Sequence, residues 1–124
     1  GADGDGAATR DGTEWLACVL RAYTRLHGRA AEPVGVLELV TRLHDACKTD
    51  GRGGLDEETA VAVRAALVQR FGGTRRLIVG GLIHYLRKAA TAVPPEYRDV
   101  LVVSSKALDA DEARLAARYA RRKR

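Results

Sequence analysis

The stretch Leu77-Ile78-Val79-Gly80-Gly81-Leu82-Ile83-His84-Tyr85-Leu86 decides the fold. Its apolar residues point nearly all round, which is the pattern of a central buried helix rather than a surface one. Gly80-Gly81 offers a second reading, because a glycine pair between two apolar runs also signals a β-hairpin. Helix is preferred: the pattern continues helically through Ala90, and neither arm alternates with a period of two. Inside a helix the two glycines would let another backbone approach closely. Thr74 can cap this segment and Pro94-Pro95 ends it.

Working back along the chain, Asp56 can cap a helix with Glu57 and Glu58 in its first turn, where the helix dipole favours anions. Val61, Val63, Leu67, Val68 and Phe71 supply its apolar positions, and Gly72-Gly73 stops it. Before it, Pro33 fits the first turn of a helix whose inner face carries Val36, Leu37, Val40, Leu43 and Cys47. The first helix is expected to start near Asp11, which forms a capping box with Glu14. Trp15, Leu16, Val19, Leu20, Tyr23 and Leu26 recur along it at three- and four-residue spacing, and Gly28 ends it. Residues 1–10 (GADGDGAATR) are small, polar and glycine-rich, and read as a flexible tail.

Downstream, residues 99–103 (DVLVV) read as a short buried strand or a helical turn. Asp109 and Glu112 repeat the capping box, with Leu108 as a hydrophobic staple. The last helix, about 110–122, is expected to turn Ala113, Leu115, Ala116, Tyr119 and Ala120 inward. The fold expected is all-α: one domain, 11–124, of about five helices around the central apolar one, with a short strand near 100–103 left open. Trp15, Leu16, Val19, Leu20, Val36, Val40, Leu43, Val63, Leu67 and Phe71 are the expected core.

At 124 residues the chain can bury a core without a staple, and its 30% charged and 46% hydrophobic composition is that of a globular domain. No apolar run approaches the roughly 18 residues of a membrane span, and no signal-peptide pattern opens the chain. No partnership with a membrane is expected. Cys18 and Cys47 read as buried free thiols, which points to a reducing intracellular location, cytoplasmic or nuclear. The sequence has no methionine, as expected of a processed chain or a piece of a longer one.

Charge is divided along the chain. Residues 1–60 carry 7 Arg and Lys against 11 Asp and Glu, whereas residues 61–124 carry 14 against 5. A cationic half is an electrostatic footprint for phosphates. The candidate nucleic-acid contacts are Arg75, Arg76, Arg87, Lys88, Arg114, Arg118, Arg121, Arg122, Lys123 and Arg124. Arg114, Arg118 and Arg121/Arg122 follow helical spacing, so they stack along one face. Guanidinium groups fork onto phosphate oxygens and stay charged. Only Tyr85 and Tyr119 lie near the basic set, which favours backbone contact over base stacking. The same cations also suit a helix C-terminus in water.

The remaining motifs are weaker. Lys48–Thr59 resembles an EF-hand loop: Asp50, Gly53, Leu55 and Asp56 match its third, sixth, eighth and ninth positions. Lys48, Arg52 and Thr59 stand where the first, fifth and twelfth ligands belong, so no Ca²⁺ binding is expected and a glycine-rich turn is preferred. Pro94-Pro95-Glu96-Tyr97 matches the PPxY pattern that WW domains bind, making Pro94, Pro95 and Tyr97 candidate partner contacts. His44 and Cys47 could offer two metal ligands from one helix face, but His27 and His84 are isolated and no second ligand pair exists, so no metal is expected. No spaced nucleophile–base set and no phosphate-binding glycine loop is present; no catalytic residue and no cofactor are expected, and the chain is not expected to be an enzyme. Ala66–Arg75, with Leu115–Tyr119, is similar to phage middle-operon activators of the Mor type, but no recognition helix follows Tyr119.

The function expected is a non-enzymatic protein that binds DNA or RNA through phosphate contacts from its basic half. The alternative is a helical interaction or assembly module, an adaptor or a capsid- or matrix-like protein, that meets a protein partner or forms a homo-oligomer.

Overall fold

In the computed structural model, residues 2–28, 32–48 and 54–120 are described, with side chains from Glu14 onward. The architecture is all-α. Five helices, α1 (Ala2–His27), α2 (Val36–Cys47), α3 (Glu57–Phe71), α4 (Arg75–Lys88) and α5 (Ser105–Ala120), share one core, with two 3-10 turns at Ala90–Ala92 and Pro95–Tyr97 between α4 and α5.

The stretch 77–86 is helical throughout. Ile78, Val79, Leu82, Ile83 and Leu86 are buried, and α4 packs against α2, α3 and α5. Each fully buried aliphatic side chain of this kind contributes about 1.5–3 kcal/mol. The glycines admit side chains rather than a backbone. A Cβ on Gly81 would lie 2.4 Å from Cδ1 of Phe71, so the missing methyl makes room for that ring; beside Gly80 the nearest atom is Leu115 Cδ2 at 3.8 Å. Helix α4 is not buried on every side: Leu77 is 54% exposed and His84 is exposed too.

Two expected caps form. The Asp56 side chain accepts from Thr59 N–H, and Thr74 Oγ1 accepts from Leu77 N–H at 3.2 Å. Between them Gly72 takes φ +115°, a left-handed value that turns the chain from α3 into α4 and that side chains resist. Helix α3 buries Ala60, Val63 and Leu67 but leaves Val61 and Val68 outside, and Trp15 and Phe71 are half-buried at the edge of the core.

Other boundaries differ from expectation. Helix α1 is helical from Ala2, so Asp11 lies within it and does not cap it; no proline precedes Trp15 to stop propagation. Helix α2 begins at Val36 rather than around Pro33. The segment before it is extended and pairs with 99–103: Val34 N–H donates to Val100 O at 2.9 Å, and Val102 N–H donates to Val34 O at 2.8 Å. This is one isolated parallel bridge, Val34 with Leu101, and no strand occurs among the described residues. Pro33 has no N–H to extend a ladder, and α2 begins three residues later.

Helix α5 starts five residues earlier than expected. Ser104 Oγ caps it by accepting from Ala107 N–H at 3.2 Å, and neither Asp109 nor Glu112 acts as a cap. Its inner face is Leu108, Asp111 and Leu115; Ala113, Ala116 and Ala120 are exposed. The seam was hidden because its middle member is a carboxylate.

Asp111 is 2% exposed, and its Oδ2 accepts from Val36 N–H at 2.9 Å. Helix α2 has Gly35 at its N-cap position, with no side chain to satisfy the first-turn amides, and α5 supplies the missing acceptor from 75 residues away.

Candidate nucleic-acid interface

Helices α4 and α5 run antiparallel. The Arg76 guanidinium lies over the Tyr119 ring, 5.2 Å from its centroid, whereas Arg87 reaches Asp109 and Glu112 at the other end of the pair. The basic residues expected to share one wall are therefore divided between two ends, about 16 Å apart along α4.

At the first end, Arg75 and Arg76 open α4 beside the last turns of α5, which carry Arg118 and, one turn earlier, Arg114. Arg114 and Arg118 are exposed and line a cleft of about 480 Å³ between α5 and α2, with Gly35, Thr41 and Asp111 also lining it. Arg114 touches Asp111 Oδ1 only at 3.3 Å, and its side chain is 66% exposed, so the contact leaves it able to reach a ligand. Across the cleft Glu38 is held by Arg42 at 2.6 Å, which offsets its charge.

At the other end, Arg87 bonds Asp109 at 2.7 Å and Glu112 at 2.6 Å. Two carboxylates on one guanidinium neutralise it and hold its pKa above the usual arginine value, the hydrogen bond to Asp109 contributing most. Arg87 is thereby removed from the free cations, leaving Lys88 exposed there. Sequence spacing could not show this, because the acids lie 22 and 25 residues away. Arg121, Arg122, Lys123 and Arg124 lie outside the described residues.

The aromatic residues are engaged. Tyr85 packs edge-on against Trp15 at 5.2 Å, and Tyr119 lies beneath Arg76. Arg70, outside the expected set, sits 4.7 Å over Trp15. These placements suit phosphate contact more than base stacking.

The other motifs are placed by the fold. Pro95–Tyr97 forms a 3-10 turn with Tyr97 8% exposed, so the PPxY tyrosine packs inward and Pro94, Pro95 and Tyr97 do not present an extended motif. Residues 49–53 of the glycine-rich loop lie outside the described residues, and Asp56 is used as the α3 cap. Among the described residues no group of three or more His, Cys, Asp or Glu could hold a metal. His84 is exposed on α4.

His44 is half-buried with its Nδ1 buried and unpartnered. Burial, then Arg75 and Lys48, hold its pKa below the ordinary 6.5; burial and Arg42 do the same for the more exposed His27. Burial likewise pushes the Cys47 thiol up, away from nucleophilic reactivity. A pH dependence follows. Both imidazoles take up protons more readily in the unfolded chain, so stability falls as pH drops through about 6.5 and below. Thermal melts from pH 7.5 to 5.5 should show a declining midpoint, with a smaller decline in His44→Gln. The Asp56 carboxyl, held below its ordinary value by the Thr59 hydrogen bonds, loses its contribution only near and below pH 4, in a separate window.

No helix among the described residues is long and apolar enough to cross a membrane. No protein family, no curated protein and no solved structure matches the chain.

Proposed function

We propose that this protein binds nucleic acid through the phosphate backbone, as a non-enzymatic binding protein, using the cationic end made by the start of α4 and the second half of α5. The observation that carries the reading is the pair Arg114 and Arg118, exposed along one cleft between α5 and α2, together with Arg75 and Arg76 at the start of α4, where Arg76 lies over Tyr119 of α5. Forked guanidiniums at helical spacing match successive phosphate oxygens, and engaged aromatics leave little means of reading bases. Contact of this kind holds DNA or RNA of any sequence. The location we infer is intracellular; two free thiols, Cys18 and Cys47, suit a reducing compartment.

Replacing both Arg114 and Arg118 with glutamine tests the assignment. Binding of a fluorescent duplex and a generic RNA should weaken alike across sequences, and the slope of log affinity against log salt should become shallower by about 2. Unchanged affinity and slope in the double variant would contradict the assignment.

A further inference from the structure

Helix α3 has apolar residues on two faces. Ala60, Val63 and Leu67 pack into the bundle, while Val61 is 49% exposed and Val68 43% exposed on the other side. These two stand one heptad apart, on one line along the helix and about 10 Å from each other. Ala62 and Ala65 beside them are exposed and small, so a second helix can come close. Next to this ridge lies a hollow of about 110 Å³, with Val68, Arg64 and Gly73 at its rim and apolar core side chains beneath. His44, with its unpartnered Nδ1, lines the same hollow.

Charge is ordered along the ridge. Glu57 and Glu58 are exposed at its start, Arg64 lies at the middle, and Arg75 lies just beyond its end. The first end also carries the positive pole of the helix dipole and the last end the negative pole.

We infer that this face docks a second copy of the chain, with the two α3 helices antiparallel about a two-fold axis. In that arrangement Val61 of each copy meets the partner's Val68, and the contact is made twice, as a two-fold axis requires. The acidic start of each α3 then lies against the cationic end of the other, and the dipoles oppose. A parallel pairing would set Glu57 and Glu58 against themselves. Valines from the partner also lie over the hollow, covering apolar surface that α2 and α4 leave open. A contact centred on one helix per copy falls below the roughly 1,200 Å² of a standard stable interface, so the association is weak and concentration-dependent. The valine ridge is separate from the α5 cations; Arg75 alone is shared with the proposed phosphate site, and the Val68→Asp test leaves it in place.

Sedimentation equilibrium on nuclease-treated full chain tests it over a wide range of concentration. The mass should rise from the 13.4 kDa of one chain towards twice that value. Val68→Asp should hold the mass at one chain at every concentration, with an unchanged melting temperature in dilute solution because Val68 lies outside the core. Ala117→Asp, on the exposed face of α5, should dimerise like the wild type. A wild-type chain that stays monomeric throughout, or a dimer that Val68→Asp leaves intact, would overturn the inference.

Discussion

Asp111→Ala is expected to destabilise the fold by about 1–3 kcal/mol. Domains of this size are stable by about 5–15 kcal/mol, so the change removes a substantial fraction. The carboxylate is buried, and its Oδ2 accepts from Val36 N–H at the start of α2. Truncation leaves that amide without its acceptor and opens a void between α2 and α5. Asp111→Asn keeps an acceptor and should cost less. Gly35 is the other half of the arrangement: a Cβ there would lie 2.6 Å from Asp111 Oδ2, closer than real contacts allow. Gly35→Ala should therefore destabilise the wild type, and cost much less when Asp111 is already alanine. Urea denaturation of the four proteins measures this coupling. An Asp111→Ala cost below about 0.5 kcal/mol would show that the cap contributes little, and additive losses would show that the need for glycine at position 35 does not come from Asp111.

The glycine pair of α4 should respond with opposite signs. Alanine at position 80 meets only Leu115 Cδ2 at 3.8 Å, an ordinary contact, so the gain in helix propensity remains and Gly80→Ala should stabilise by up to about 1 kcal/mol. Alanine at position 81 would place Cβ 2.4 Å from Phe71 Cδ1 and 3.0 Å from Cγ. The ring would have to leave its place, and it also meets Trp15 edge-on at 5.5 Å, so the strain passes to α1. Gly81→Ala should therefore destabilise by about 1–3 kcal/mol. Thermal melts of the two variants give the comparison. Equal losses at both positions would mean that the pair lies in a turn rather than inside a helix.

The same residues show what the sequence makes legible. The apolar pattern of 77–86 identifies a buried helix because burial is periodic and local. The caps at Asp56 and Thr74 can be read because cap and capped amide lie three residues apart. The Asp111 cap could not be read, since it joins residues 75 positions apart and an aspartate set between Asp109 and Glu112 looks like a surface residue. The charge division had the same limit. Spacing placed Arg114 and Arg118 on one helix face, and the structure has them lining a common cleft. It could not reveal that Arg87 is neutralised by Asp109 and Glu112, because partners across two helices depend on how those helices pack. Val61 and Val68 failed for a related reason: valine at helical spacing reads as core, and only the packed bundle shows which face stays outside.

The central claim is that the cationic end of the α4–α5 pair holds phosphates. Measuring wild-type affinity for a generic duplex across a series of salt concentrations tests it most directly. Four guanidiniums, each neutralising one phosphate, predict that log affinity falls against log salt with a slope of about −3.6, and with little dependence on base sequence. A flat salt response, or no binding at the lowest salt, would contradict the claim.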